Sequence, residues 1–425
     1  MPRDATQAAP PGARRLRAPT LPAVPERWRP AVADAWRALW VTRVAVWLSS
    51  VGAIALWGTS PRADAFDPGD LTRPYGAFAD ALVAPMGRWD SVWYLAIAQG
   101  GYPAADARRP AFFPLYPWLV RLGGAVTGAP LIAGALLSTA CFAAALVVLH
   151  RLAELELGPE AARWTVWALA LFPMSFFFSA VYAEALFLLL SVAAVYAART
   201  GRWAWAGVLG GLAAGTRSAG LVLVVGLALM WFQQRDRRVA QLAWLALVPA
   251  AQGAFCALLA LRGAEALAPF HAQALWYRSF AGPFVGLWDG GVAAVAGVRQ
   301  LVHGPAPPVY FAPAGGDPVL VARFNLMLFA FALPAIGALV GALRRLRAPY
   351  GAYALAAIAL PLSYPVAPQP LMSLPRFEAV LFPLFLWAGW WLARGGRVRR
   401  AVVLGGSGIL LVAFSAQFAT WHWVA

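Results

Sequence analysis

The sequence predicts an all-α fold: a polytopic transmembrane helical bundle of about 11 helices, with amphipathic helices in its first extracytoplasmic loop. Three observations carry this. Hydrophobic residues make up 61% of the 425-residue chain and charged residues only 12%, about half the roughly 25% of a soluble domain. Apolar runs of about 18 to 25 residues recur between short arginine clusters, the pattern of a polytopic helical membrane protein. No stretch alternates apolar and polar residues over the roughly 10 positions of a membrane β-strand.

All 34 basic residues are arginine, and the net charge is +16. They cluster in connections rather than along one stripe, so they report topology and not nucleic-acid binding. Cys141 and Cys256 lie inside apolar runs and the four histidines are scattered, which supports neither a disulfide framework nor a zinc site.

Residues 1–37 are rich in proline and arginine and read as a disordered cytoplasmic tail, because that composition cannot build a core. The rest, 38–425, is the membrane domain. Its first apolar run, Ala38–Trp57, exceeds the roughly 7 to 15 residues of a signal-peptide core, so it reads as a retained anchor with the N-terminus inside. Residues 58–128 form a large extracytoplasmic loop, in which Ala111–Val126, broken by Pro114, Pro117 and Arg121, is expected to be interfacial or re-entrant. Ten further runs follow: Pro130–Leu149, Trp164–Ala180, Ala185–Ala198, Trp203–Ala214, Ala219–Phe232, Val239–Leu261, Val319–Leu343, Tyr350–Val366, Ala379–Ala393 and Ala401–Thr420. A second large outer loop occupies 262–318. Several runs are shorter than the roughly 20 residues that span a bilayer, which suits a locally thinned membrane or a protein-lined cavity.

If each run crosses once, the clusters Arg151 with Arg163, Arg199 with Arg202, Arg235 to Arg238, Arg344 to Arg347 and Arg394 to Arg400 all fall on the cytoplasmic side. Asp90, Glu184, Arg217 and Arg376 then share the outer side, although none was used to set the topology.

These four have the chemistry of a site. Asp90, at the start of a predicted helix from Ser91, reads either as an N-cap or as a catalytic carboxylate. Glu184 lies at the end of a crossing, where ionisable residues are functional candidates. Arg217 and Arg376 suit a lipid-linked phosphate through paired guanidinium hydrogen bonds, with snorkelling to headgroups as the other explanation. His271, Trp276, Tyr277, Arg278 and Trp288 in the second loop read as a sugar-stacking surface or as an interfacial aromatic belt.

The stretches Trp89-Asp90 to Tyr102, Phe112 to Pro117, Ser179 to Phe187, Thr216-Arg217-Ser218 and Leu374 to Phe377 resemble the phosphatidylinositol-glycan class V family of membrane mannosyltransferases, in a form typical of bacteria. The resemblance covers about Trp40 to Trp391. It implies a GT-C fold and a glycosyltransferase, mannosyl by family, that uses a polyprenyl-phosphate sugar donor. The expected acceptor is a lipid or cell-wall glycan, or else a protein, at the extracytoplasmic face. Asp90 matches the acidic catalytic residue, Arg217 and Arg376 take the donor phosphate, and Trp89, Tyr94, Tyr116, Tyr182 and Glu184 bind substrate. Ser91, Ala183 and Ala185 depart from residues common in the family. No G-x-G-x-x-G or P-loop is present, in keeping with a lipid-linked rather than a nucleotide donor. No cofactor is required by this reading, though Asp90 and Glu184 leave a shared Mg²⁺ or Mn²⁺ open. A lipid-sugar flippase or secondary transporter is the alternative, and it predicts charges near mid-membrane and repeated halves.

Overall fold

The computed structural model describes residues 25–304 and 317–424; the start of the tail and the tip of the second loop lie outside them. Among the described residues the chain is helical, and the sole strand-like pairing is an isolated bridge between Arg278 and Val366.

Helix α1 (Arg29–Trp57) begins earlier than the expected tail boundary at 37. Pro30 stands in its first turn, where a missing N–H costs no hydrogen bond. Ala31, Ala35 and Ala38 are buried against the bundle, so Arg29–Arg37 is helix and not tail. The first loop carries α2 (Arg62–Phe66), α3 (Ala77–Val83), α4 (Ser91–Gly100) and α5 (Leu115–Thr127). The stretch read as interfacial is α5, whose 13 residues measure about 20 Å. It packs on α4 and on the next helix, α6 (Pro130–Leu157).

The centre of the core is α6 with α7 (Pro159–Ala170) and α8 (Glu184–Arg199). The run expected over Trp164–Ala180 is not one helix. The chain leaves α7 at Ala170, passes Pro173 and makes a 3₁₀ turn over Ser175–Ser179, because proline removes an amide donor and clashes with the preceding turn. Arg43 of α1 pins that turn, donating from Nη1 to the Ser175 carbonyl at 2.7 Å and from Nη2 to Ser175 Oγ at 2.9 Å.

Beyond the core come α9 (Trp203–Ala214), a 3₁₀ turn over Ser218–Val222, α10 (Leu223–Phe232), α11 (Val239–Leu245), α12 (Leu247–Leu261) and α13 (Ala268–Leu275). Helix α14 (Val285–His303) lies where only loop was expected. Its glycines disguise it in the sequence, since glycine has low helix propensity, yet they allow close packing. A Cβ on Gly286 would stand 2.7 Å from the Leu362 carbonyl oxygen, and one on Gly297 3.0 Å from that of Ala322. The chain closes with α15 (Pro318–Arg345), α16 (Ala348–Leu362), α17 (Leu374–Ala379), α18 (Phe382–Ala393) and α19 (Arg397–Ala419).

Five helical stretches of the described residues are long and apolar enough to cross a bilayer: the ones ending at Trp57, Leu157, Leu261, Arg345 and Ala419. Four apolar helices of 10–17 residues accompany them, so helix length alone does not establish the expected 11 crossings. Trp36, Trp40, Trp47 and Leu48 on α1, and Val398, Val402 and Ile409 on α19, are exposed, an apolar exterior suited to lipid.

Helices α8 and α9 show how the charges sort. Glu184 opens α8 and Arg199 closes it, and the returning helix, α9, ends at Ala214, just before Arg217. Arg199 therefore sits at the end of this hairpin opposite Glu184 and Arg217.

Close packing also joins α7 to α18. A methyl group on Gly389 would stand 2.6 Å from the Thr165 amide nitrogen and 2.7 Å from the Ala161 carbonyl oxygen. Because both are backbone atoms, neither can swing aside. Gly389→Ala is expected to destabilise the protein by about 1–3 kcal/mol, as overpacking does, read as a lower thermal midpoint in detergent.

Candidate active site

Local backbone geometry presents Asp90. Trp89 adopts a left-handed φ of 52°, unusual for a bulky residue. Its ring is held by Phe66, Trp421 and Trp423, with centroids 4.6, 5.6 and 5.2 Å away. Arg88 anchors the same turn from below, donating from Nε to the Ala419 carbonyl at 2.9 Å. Burial pushes its pKa down to about 10.

Asp90 stands at the N-cap position of α4, but its side chain makes no capping bond. The carboxylate instead accepts a 2.5 Å hydrogen bond from Arg376 Nη1. The turn is tied further by Tyr182, whose hydroxyl accepts from the Asp90 amide at 3.0 Å and donates to the Arg88 carbonyl at 3.2 Å.

Arg376 comes from α17, and it joins two carboxylates. Its Nε lies 3.4 Å from Glu184 Oε1, while Arg217 Nη1 bonds that same oxygen. The rings of Phe177, Tyr182 and Phe377 flank the Arg376 guanidinium at 5.4 to 5.7 Å. Burial alone would lower the Arg376 pKa, but Asp90 and Glu184 more than offset it and raise it. The fold thus brings together Asp90, Glu184, Arg217 and Arg376 from α4, α8, the α9–α10 turn and α17. The two carboxylates differ in access: the Asp90 side chain is 22% exposed and that of Glu184 1%.

The aromatic candidates separate by where their polar ends go. Trp89, Tyr116 and Tyr182, read from the sequence as substrate-binding, are buried, and the Tyr182 ring flanks Arg376. Tyr116 is fully buried, donating to the Gly134 carbonyl at 3.1 Å and sharing a 2.8 Å bond with Ser138 Oγ. Tyr182 spends its hydroxyl on the Asp90 turn, and Trp89 is locked in the aromatic cluster with its Nε1 buried and unpartnered. Tyr94 differs: its ring packs on Tyr116 at 5.1 Å, and its hydroxyl forms no hydrogen bond to the described residues. Glu184 Oε2 is likewise buried without a partner.

Sequence reasoning gave Arg278 no phosphate role, yet it belongs to this cluster. Its guanidinium lies 5.6 Å from the Phe377 ring and donates to the carbonyls of Tyr364 at 3.3 Å and Met372 at 3.1 Å. Burial, and then the nearby Arg376, push its pKa down to about 10. Two residues earlier, Trp276 meets Trp93 at 5.4 Å and Phe112 at 5.7 Å, an aromatic wall drawn from three separate segments. The arginine-and-aromatic composition of 276–278 was the available signal; its distance along the chain from Asp90 concealed the contact.

A divalent cation shared by Asp90 and Glu184 does not fit this arrangement. The Arg376 guanidinium occupies the space between the carboxylates, and the described residues contain no group of three His, Cys, Asp or Glu side chains placed to hold a metal.

The family model described as Mannosyltransferase (PIG-V) matches residues 65–284, just over half of the 425-residue chain. The chain belongs to this family. Asp90, Glu184, Arg217 and Arg278 fall inside the matched region, and Arg376 lies beyond it. GPI alpha-1,6-mannosyltransferase 2 of Rattus norvegicus is 35% identical over 176 residues, 38% of this chain and 35% of the relative. The Homo sapiens protein of that name is 35% identical over 178 residues, with the same shares. The chain thus spans about a third of the length of the curated relatives it matches. The crystal structure of ArnT from Cupriavidus metallidurans bound to undecaprenyl phosphate aligns with 91% of this chain and 78% of its own, at 18% identity and a TM-score of 0.40.

Proposed function

We propose that this PIG-V family membrane protein is a GT-C glycosyltransferase that moves a sugar, mannose by family, from a polyprenyl-phosphate donor to a lipid or cell-wall glycan. The single observation behind the assignment of roles is the contrast between the two carboxylates. Asp90 has one oxygen held by Arg376 on a side chain that is 22% exposed, while Glu184 is closed off between two arginines at 1%.

In this reading Asp90 is the general base. It takes the proton of the acceptor hydroxyl as that oxygen bonds to the anomeric carbon. The bond from that carbon to the phosphate oxygen breaks with its electron pair, so polyprenyl phosphate leaves and the anomeric configuration inverts. Arg376 and Arg217 stabilise the charge gathering on the departing phosphate through the donors they do not spend on Asp90 and Glu184. Tyr94, whose hydroxyl has no partner among the described residues, is the substrate-facing group; Glu184 orders the two arginines, Tyr182 and Trp89 position the Asp90 turn, and Tyr116 supports Tyr94.

The positive-inside rule puts the arginine-bearing helix ends in the cytoplasm. The site then opens on the extracytoplasmic side, and the N-terminus is cytoplasmic. A transporter would carry its charges along a path through the bilayer, whereas these gather at one end of the bundle.

The test is transfer from labelled polyprenyl-phosphate mannose to endogenous acceptors in membranes with and without the protein, beside GDP-mannose under conditions that block its conversion to the lipid-linked sugar. Transfer from the lipid-linked sugar alone is the expected result. Use of the nucleotide sugar, or no transfer above empty membranes, would count against the reading.

A further inference from the structure

Three guanidinium groups surround one ring. The guanidinium carbons of Arg217, Arg376 and Arg278 lie 5.2, 5.4 and 5.6 Å from the centroid of Phe377. Among the described residues only two carboxylates pair with them. Arg376 pairs with Asp90 and Glu184, and Arg217 pairs with Glu184. Arg278 has no carboxylate within ion-pair distance among the described residues; its two hydrogen bonds go to neutral carbonyl oxygens. Glu378, on the same short helix as Arg376, does not redress the balance. It is buried without an ion pair, and burial raises its pKa well above the usual carboxylate value, towards the neutral form.

The cluster therefore carries one positive charge more than its carboxylates neutralise. Collecting like charges out of water is costly unless something balances them. Arg278 is also kept in place by design of the backbone: the isolated bridge to Val366 and the two carbonyl bonds fix its guanidinium, and two of its five N–H donors are spent there. The remaining donors stay available on a side chain that is only partly buried. Beside it, Trp276 continues into the Trp93 and Phe112 wall, so a charged group and a flat apolar surface adjoin.

We propose that Arg278 completes an anion subsite around Phe377 that receives the phosphate of the polyprenyl donor, supplying the charge that Asp90 and Glu184 leave unbalanced. Arg217 and Arg376 line the subsite, but their charge is already spoken for at rest. The phosphate arrives with the balancing charge and is held most firmly after the sugar has left, when its own charge is greatest. This inference rests on the transferase reading for the identity of the donor, and its test requires no transfer.

The full-length protein in detergent is titrated with farnesyl phosphate and with farnesol. Wild type is expected to bind the phosphate more tightly than the alcohol. In Arg278→Gln the affinity for farnesyl phosphate falls by roughly tenfold or more, as for loss of a charge-assisted bond, while that for farnesol is unchanged. Arg278→Lys, which keeps the charge but not the planar fork, falls between them, and it carries the test should the glutamine variant not accumulate. Equal binding of the two ligands by wild type would overturn the proposal. So would wild-type affinity for farnesyl phosphate in a folded Arg278→Gln, or displacement by phosphatidylglycerol as readily as by unlabelled farnesyl phosphate, which would assign the site to bulk lipid headgroups. If phosphate binding depends on Arg278 but no sugar is transferred, the subsite stands and the transferase reading fails. If sugar is transferred and binding ignores Arg278, the reverse holds.

Discussion

Replacing Asp90 with asparagine should lower sugar transfer by about 10²–10⁴-fold, the usual contribution of a general base, with no loss of folded protein. The substitution is nearly isosteric, and the amide oxygen can still accept the bond that Arg376 now donates at 2.5 Å. The fold does not need this carboxylate as a cap, because it makes no capping bond. Arg376 also keeps Glu184 at 3.4 Å as a counterion. What asparagine cannot do is accept a proton from the acceptor hydroxyl. The measurement is the initial rate of transfer from labelled polyprenyl-phosphate mannose at matched protein levels. A mutant rate within a few-fold of wild type would remove Asp90 from the role of base.

Glu184→Gln should act on stability first. The glutamate is buried at the N-terminus of α8, where the helix dipole favours a negative charge, and it is the one carboxylate paired with both Arg217 and Arg376. Neutralising it leaves Arg376 with Asp90 alone and Arg217 without a carboxylate partner among the described residues. Breaking a buried pair from one side costs about 3–5 kcal/mol. The variant should accumulate poorly and melt at lower temperature in detergent. Adding Arg217→Gln should return part of that loss, because the second change removes the charge the first one orphans; a double-mutant cycle reads this coupling. A Glu184→Gln protein as stable as wild type would show that the glutamate is not the keystone of the cluster.

Much of the bundle was legible in the sequence because burial in lipid leaves a length signal that needs no knowledge of neighbours. Pro130, Trp203 and Pro318 stand within a residue of expected helix starts. Where the reading went astray, composition masked geometry. Pro173 lies inside an apolar run yet breaks the helix, and the glycines of α14 look like loop but serve as contacts with Leu362 and Ala322. The tail boundary moved because Pro30 is tolerated in a first helical turn.

Residue type and side of the membrane, read from one dimension, already selected Asp90, Glu184, Arg217 and Arg376 as companions, because charge is too costly in an apolar segment to be placed without reason. Their division of labour was not readable there. Whether Asp90 caps its helix or faces outward depends on a guanidinium 286 positions along the chain. Whether Tyr182 meets substrate or ties down the Asp90 turn depends on where its hydroxyl finds a partner. Arg278 joins the cluster only because the chain returns to Val366, Tyr364 and Met372. Hydrophobic length and charge placement act on each segment alone and so are written in the sequence; ion pairing and exposure are properties of pairs of distant segments, and only the packed bundle decides them.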